Sequence, residues 1–415
     1  MKNVTRTICL TLALLLGSVG TGCGPDFDKG LAATQSGHFA TALREWRPLA
    51  EQGDARAQFN LGVMYVKGQG VPQDDKTALK WYTLAAEQGN ADAQYNLGVM
   101  YYNGQGVPQD DKTALKWYTL AAEQGNADAQ YNLGVMYDNG QGVPQDNKTA
   151  LKWYTLAAEQ GNADAQYNLG MMYDKGEGVP QDDKSALKWF TLAAEQGYAR
   201  AQYNLGVMYY EGLGVPQDDK SALKWYTLAA EQGDADAQYN LGLMYANGEG
   251  VPQDDKSALK WYTLAAEQGL ADAQYSLGVM YANGYGVPQD DKSALKWYTL
   301  AAEQEDAFAQ YNLGVMYYEG QGVPQDDKSA LKWFTLSAEQ GYARAQNNLG
   351  VMYYNGEGVI KDNVYAHMWG NIAASNGLEK AVEFRDWVGE KMTPSQLETS
   401  QRIAGECVRK QYKGC

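Results

Sequence analysis

The sequence predicts an all-α protein, built as a solenoid of repeated αα-hairpins. A tryptophan recurs every 36 residues from Trp81 to Trp369, and an Asn-Leu-Gly triplet keeps the same period, with Ser-Leu-Gly once, at Gly278. Within each period, apolar residues are spaced three or four apart in two stretches, which Gly and Pro separate. A fixed period of this length indicates stacked supersecondary units in one continuous array.

Residues 1–22 are predicted to be a secretory leader that is removed before folding. Lys2 and Arg6 precede a short apolar run from Ile8 to Leu16, after which small residues follow. The run is short for a bilayer-spanning helix, so that a membrane anchor is the second choice.

The leader ends in a pattern that resembles a bacterial lipoprotein signal. A small residue, Gly22, precedes Cys23, which would become the lipidated N-terminus. The match departs from the lipoprotein pattern at Gly20, where an aliphatic residue is usual. Ordinary cleavage near Gly22, with Cys23 left as a free thiol, is the alternative.

The array is predicted to be closed by a cap at each end. Residues 23–53 form a shortened N-terminal hairpin whose second helix covers 42–52, and residues 378–415 form C-terminal capping helices. A helix over 378–391 is followed by Thr393 as N-cap, Pro394 in the first turn and Gln396 completing a capping box. Caps with a polar outer face keep a solenoid soluble.

One repeat shows why each unit forms a hairpin. From Ala91 to Asn103 the apolar residues follow helical spacing, and Gly104 with Pro108 ends that helix. Asp110 or Asp111 caps a second helix that runs to residue 124. Trp117 and Tyr118 are expected to supply large buried area between units.

The four cysteines predict a disulfide at the C-terminus. If Cys9 leaves with the leader and Cys23 carries lipid, Cys407 and Cys415 remain as a pair in a compartment where disulfides persist. Two thiolates without a nearby histidine cannot complete a tetrahedral metal site.

Composition and charge exclude several function classes. The net charge of −16, which becomes −18 without Lys2 and Arg6, argues against binding to nucleic acid or to anionic lipid. The two histidines, His38 and His367, lie at opposite ends of the array, and His367 is expected at the surface. No catalytic site, metal site or cofactor is therefore predicted, and the paired aspartates are interpreted as helix caps.

The repeat resembles the Sel-1-like family, a relative of tetratricopeptide repeats. The resemblance rests on Ala-Gln-Tyr-Asn-Leu-Gly-Val-Met-Tyr at 93–101, Gly-Gln-Gly-Val-Pro-Gln-Asp at 104–110 and Ala-Leu-Lys-Trp-Tyr at 114–118. It covers nine 36-residue units over residues 54–377. It implies a right-handed superhelix whose first helices line a concave groove for partner proteins.

The predicted groove residues follow from this resemblance and from helical spacing. In the second repeat they are Asp92, Tyr95, Val99, Tyr102 and Asn103. The slot of Tyr95 is aromatic in eight repeats, whereas the slot of Asp92 varies, which favours recognition of an extended segment over drift after duplication. The shared anchors are Tyr95, Tyr131, Tyr167, Tyr203, Tyr239, Tyr275 and Tyr311, and the variable contacts include Arg56, Arg200, Phe308 and Arg344.

The sequence therefore predicts an exported scaffold without enzymatic activity. It would sit in the periplasm or at the outer membrane, held only by its N-terminal lipid, and bind an extended peptide segment or an envelope protein. A host-facing role and an inert spacer are the alternatives. β-Lactam binding, described for cysteine-rich family members, is disfavoured because the repeats contain no cysteine.

Overall fold

The computed structural model describes residues 24–415, and within that range the secondary structure consists of 22 α-helices joined by turns, without strands. Nine repeats each contribute a first and a second helix of 13 residues. The first helices are α3 (Ala55–Lys67), α5 (Ala91–Asn103), α7 (Ala127–Asn139), α9 (Ala163–Lys175), α11 (Ala199–Glu211), α13 (Ala235–Asn247), α15 (Ala271–Asn283), α17 (Ala307–Glu319) and α19 (Ala343–Asn355). The second helices are α4 (Asp75–Glu87), α6 (Asp111–Glu123), α8 (Asn147–Glu159), α10 (Asp183–Glu195), α12 (Asp219–Glu231), α14 (Asp255–Glu267), α16 (Asp291–Glu303), α18 (Asp327–Glu339) and α20 (Asn363–Ser375).

The helices fall into two compact units, Met1–Asn162 and Ala163–Cys415. Helices α1 (Phe27–Gln35) and α2 (Phe39–Glu51) open the first unit, and α21 (Glu379–Gly389) and α22 (Pro394–Arg409) close the second. Within each unit, consecutive helices pack against each other as hairpins and as neighbouring repeats. This arrangement confirms the predicted all-α, αα-hairpin repeat solenoid.

Two glycines and an aspartate determine the conformation of the loop inside each repeat. Gly104 ends α5 with φ of 70°, and its N–H bonds to the carbonyl of Met100. Asp110 begins α6, because its carboxylate accepts the N–H groups of Lys112 and Thr113. Gly106, with φ of 68°, lies so close to the carbonyl of Asp75 that a Cβ atom would come within 2.6 Å of it. The loop therefore rests on the second helix of the preceding repeat.

A buried glutamine ties three consecutive helices together. The Gln94 side chain donates to the carbonyl of Ala86 at 3.1 Å and accepts a hydrogen bond of 2.7 Å from Gln124. Because both ends of the amide are paired, its burial costs little free energy. The same pair recurs as Gln202 with Gln232 in the second unit. This role was not predicted from the sequence, although the glutamine recurs in every repeat.

Most of the tryptophans that mark the period are less buried than the sequence suggested, although Trp189, Trp261 and Trp369 are buried. Trp117 is half-buried, and the ammonium group of Lys116 lies 5.2 Å from its ring centroid. Tyr118, in contrast, is 2% exposed. The difference arises because Tyr118 points toward the first helix of its own repeat, whereas Trp117 packs at the edge of the preceding core cluster.

The C-terminal cap differs from expectation at one residue. His367 was expected at the surface but is 6% exposed, since α22 covers it and Ser400 Oγ lies 2.6 Å from its Nδ1. The capping box of Thr393 and Gln396 opens α22 as predicted. Cys407 and Cys415 form a disulfide with their Cα atoms 5.5 Å apart.

Candidate functional site

In each unit, aromatic side chains occupy the same position on successive first helices, and we call them the aromatic row. Each ring is half-buried and packs on an aromatic ring of the second helix of its own repeat, with centroids 6.0 Å apart for Tyr95 and Tyr118. The row is therefore part of the core packing as well as of the surface. Its members are Phe59, Tyr95, Tyr131, Tyr167, Tyr203, Tyr239, Tyr275 and Tyr311, and Asn347 takes the place in the last repeat.

The hydroxyl group of Tyr95 meets an asparagine of the following repeat, and so do those of three other tyrosines in the row. Burial raises the pKa of Tyr95, the nearby charge of Asp128 adds to the rise, and a hydrogen bond with Asn132 offsets part of it. Burial likewise raises the pKa of Tyr118, which also bonds to Asn132. The tyrosines are therefore neutral hydrogen-bonding groups. This asparagine was not predicted as a site residue, although it directly follows the aromatic residue in the sequence.

Cavities lie between consecutive repeats and bring together the residues predicted for the groove. Tyr95, Val99 and Tyr102 of the second repeat line a cavity of ≈ 250 Å³ together with Asn132 and Val135 of the third. Equivalent residues line cavities of ≈ 180 and ≈ 260 Å³ in the second unit. The same sites thus recur in both units.

The variable slot of Asp92 lies beside the aromatic row and is exposed in every repeat. We call the aromatic row, together with this slot, the partner face. The slot holds Arg56, Asp92 and Asp128 in the first unit and Asp164, Arg200, Asp236, Asp272, Phe308 and Arg344 in the second.

The predicted contacts at this slot differ in their surroundings. Arg56 is engaged within the protein, since it bonds to Asp54 at 3.1 Å and lies 4.3 Å from the ring centroid of Phe27. Phe308 is 51% exposed and lies 5.1 Å from Tyr342 and 6.0 Å from Tyr275, between ring centroids. Arg56 thus helps to hold the N-terminal hairpin, whereas Phe308 presents an apolar ring to the outside.

Arg344 lies at a polar cavity near the end of the second unit. The cavity, of ≈ 680 Å³, is also lined by Asn347, Asn348 and Lys380. The side-chain oxygen of Asn347 is buried there without a hydrogen-bond partner in the described part of the chain. Replacement of the row's aromatic ring by Asn347 therefore makes this end of the partner face more polar, and Glu379 also lines the cavity.

The lipidation site, metal binding and membrane spans were also considered in the predictions from the sequence. Cys23 lies outside the described residues, so the structure has no bearing on its lipidation. Across residues 24–415, no three His, Cys, Asp or Glu side chains are grouped as a metal site would require. In the same range, none of the helices has the length and apolar character needed to cross a membrane.

Comparisons with known proteins agree with the repeat organisation. The Sel1 repeat model matches nine consecutive segments, each one residue later than the predicted units: 55–90, 91–126, 127–162, 163–198, 199–234, 235–270, 271–306, 307–342 and 343–378. A comparison with curated proteins found no match.

Two solved structures resemble the chain over most of its length. A protective antigen present in uropathogenic Escherichia coli strains, described as displaying an SLR fold, is 35% identical, with a TM-score of 0.69 over 93% of this chain and 92% of that one. A Sel1 repeat protein from Oxalobacter formigenes is 36% identical, with a TM-score of 0.57 over 82% of this chain and 97% of that one.

Proposed function

Since the chain belongs to the Sel1 repeat family, whose scaffold fold is typical of protein–protein interaction, we propose that it binds a protein partner on its partner face. The bound part of the partner is an extended segment that contacts several repeats in turn. Each repeat contributes a constant aromatic ring and one variable side chain.

The observation that carries this proposal is the exposure of Phe308. Near-identical repeats place Asp or Arg at this slot, yet here a phenyl ring stands half in solvent beside two tyrosines. An exposed cluster of aromatic rings costs solvation free energy unless a partner covers it. Aromatic and arginine side chains also supply most of the energy at protein interfaces.

The charges beside the aromatic row indicate the chemistry of the partner segment. In the second unit the slot carries Asp164, Asp236 and Asp272, and the whole chain is strongly acidic. A segment that combines basic and apolar residues fits this pattern, because opposite charges speed association and suppress wrong partners.

Capture from envelope extracts tests the proposal when two matched variants are compared. Phe308→Asp places a charge on the partner face, and Leu264→Asp places the same charge at a similarly exposed apolar residue of α14, away from that face. The proposal expects one protein to be captured by wild type and by Leu264→Asp but lost with Phe308→Asp. Equal capture by both variants would contradict it, and the absence of any specific partner would favour an inert spacer.

The aromatic row itself is a poor place for this test. Tyr95 packs on Tyr118 and lines an inter-repeat cavity, so its replacement by Ala would remove core contacts. Truncation of a buried aromatic ring costs about 3–5 kcal/mol. Loss of binding in such variants could then reflect local unfolding, whereas Phe308 and Leu264 are exposed.

We further propose that the chain is exported and anchored by lipid on Cys23. The leader pattern supports this proposal, and so does the disulfide between Cys407 and Cys415, because such bonds persist in oxidising compartments. The proposal expects palmitate labelling and membrane association of the wild type, and loss of both with Cys23→Ser. A wild type of unlipidated mass in the soluble fraction would contradict it.

A host-facing role is the second candidate. It is favoured by the 35% identity with the protective antigen of uropathogenic Escherichia coli. Antibody labelling of intact cells separates the two candidates, because a host-facing protein is accessible at the cell surface and a periplasmic one is not. An enzymatic role has less support, since Sel1 repeat proteins are generally non-enzymatic scaffolds.

A further inference from the structure

One inter-repeat cavity is much larger than its equivalents on the partner face. Between the sixth and seventh repeats the cavity measures ≈ 490 Å³, against ≈ 250 Å³ between the second and third. It is lined by Tyr262, Val279 and Met280, which match Tyr118, Val135 and Met136 of the smaller cavity. The difference must therefore come from the positions at which these two repeats depart from the pattern.

The first departure opens the rim of the cavity. At three other interfaces a tyrosine of one repeat donates a hydrogen bond to a loop side chain of the next: Tyr102 to Gln141 at 3.0 Å, Tyr210 to Glu249 at 3.0 Å and Tyr318 to Glu357 at 2.9 Å. Between the sixth and seventh repeats this tyrosine is replaced by Ala246. The bridge across the rim is absent and the volume of a phenol ring is left open.

The second departure lies on the other side of the same rim. The loop residue that accepts the tyrosine hydroxyl elsewhere is Tyr285 here, and its ring is 51% exposed. At the bridged interfaces the aromatic residue is on the helix side of the rim, whereas here it is on the loop side. Tyr285 also lines the cavity and forms an aromatic wall at its mouth.

The third departure leaves a hydroxyl group facing the cavity. The asparagine that bonds two tyrosines at other interfaces is Ser276 here, in the only repeat that lacks it. Ser276 and Tyr262 both line the cavity, and burial raises the pKa of Tyr262, so that its hydroxyl group is neutral. The cavity wall therefore combines apolar side chains with a neutral hydroxyl that can accept a hydrogen bond.

We propose that this cavity is the specificity pocket of the partner face and holds one aromatic side chain of the partner, a tryptophan or a tyrosine. A planar ring fills the space that Ala246 leaves, against Val279 and Met280. Its N–H or O–H group bonds to the hydroxyl of Tyr262. Asp255, which also lines the cavity, favours a basic residue next to the ring.

This proposal rests on the proposed function. It assigns the specificity of the partner face to one pocket. The smaller cavities at the bridged interfaces of Tyr102, Tyr210 and Tyr318 serve as general contacts. Burial of one aromatic ring in a fitted pocket changes affinity by about tenfold or more, which is large enough to measure.

Random peptides displayed on phage, selected on the whole immobilised protein, test the pocket. The variant Ala246→Tyr with Tyr285→Gln restores the pair found at Tyr102 and Gln141, so the bridged geometry of another repeat predicts that it folds. Ala282→Tyr places the same ring one repeat further along and is the matched control. Circular dichroism verifies folding, and titration calorimetry with synthetic copies of the selected peptides gives the affinities.

The proposal expects selected peptides that share a Trp or Tyr, and about a tenfold or greater loss of affinity in the filled variant but not with Ala282→Tyr. Replacement of that shared residue by Ala should cause a similar loss on the wild type. Unchanged affinity in the filled variant, or selected peptides without a common aromatic residue, would overturn the pocket while leaving the proposed function standing. Failure to select any peptide would overturn both.

Discussion

Gly98 has no side chain because the ring of Tyr118 occupies that space. A Cβ atom built on Gly98 would lie 2.6 Å from the Tyr118 ring, and the same contact recurs at Gly134 and Gly206. This explains why the glycine is kept in the first eight repeats, whereas Gly350 of the ninth repeat lies against Phe384 instead. The aromatic row depends on this contact, since Tyr118 is the ring on which Tyr95 packs.

We therefore expect Gly98→Ala to destabilise the second repeat by about 1–3 kcal/mol, because overpacking forces the Tyr118 ring out of place. The measurement is hydrogen exchange of α5 and α6, which reports local opening. Asn103→Ala, at an exposed residue of the same helix, is the control. Equal hydrogen-exchange protection in both variants would contradict this prediction, because it would show that the Tyr118 ring moves aside at no cost in free energy.

His367 predicts a pH dependence of the C-terminal cap. Burial lowers its pKa, the charge of Arg385 lowers it further, and Asp386 acts in the opposite direction. The unfolded chain therefore binds a proton at higher pH than the folded one, so that stability is present above about pH 6.5 and lost as the pH falls below it. Hydrogen exchange of α20 and α22 should become faster between neutral and mildly acidic pH. His367→Gln should reduce this dependence, and an unchanged pH profile in that variant would contradict the account.

Single residues were only partly predictable from the sequence. Helical spacing predicted that Tyr95, Val99 and Tyr102 share a face, and the structure places them at one cavity. Spacing could not reveal the burial of His367, which depends on α22 lying across α20, nor the contact of Arg56 with the ring of Phe27. Both depend on contacts between segments that no local pattern specifies.

At the scale of helices, the two residues of the acidic pair before a second helix have different roles. The sequence left open whether Asp110 or Asp111 caps α6. The structure assigns the cap to Asp110, whose carboxylate also bonds to Thr113 Oγ1 at 2.6 Å, and places Asp111 in the first turn. The copies in the other repeats with described caps follow the same rule, for example Asp218 before α12.

Asp110→Ala should therefore cost about 1 kcal/mol of local stability in α6, because two backbone N–H groups lose their acceptor. Asp111→Ala should cost only a few tenths, since it removes a favourable charge near the helix N-terminus. The free energy of local opening, measured by hydrogen exchange of α6, ranks the two. A larger effect of Asp111→Ala would contradict the assigned cap.

At the scale of the whole molecule, neighbouring repeats within each unit contact each other through the same buried glutamine and the same loop glycine, and an aromatic pair packs inside the repeat. Stability is then a sum of similar local terms, which is why the period alone was enough to predict the fold class. The site was less predictable from the sequence, because three residues that depart from the repeat pattern distinguish it. These residues come together only in the folded structure. Ala246, Ser276 and Tyr285 are far apart in sequence and meet only at one interface.

Removal of one complete repeat should preserve folding. Deletion of residues 91–126 joins Asn90 to Ala127, which reproduces the junction of Asn126 with Ala127. Circular dichroism should show unchanged helicity per residue, with cooperative melting. Deletion of residues 91–108, which removes one helix of a hairpin, should instead unfold the neighbouring repeats. Loss of structure in the full-repeat deletion would contradict nearest-neighbour packing.

The most direct measurement of the central claim is photo-crosslinking in living cells with benzoylphenylalanine placed at single positions. Asp236 and Asp272 lie on the partner face, and Leu264 is an exposed residue of α14 away from it. The account predicts an adduct to the same protein from both aspartate positions and none from Leu264. Adducts from Leu264 alone, or equally from all three positions, would contradict the claim that the partner face binds the partner.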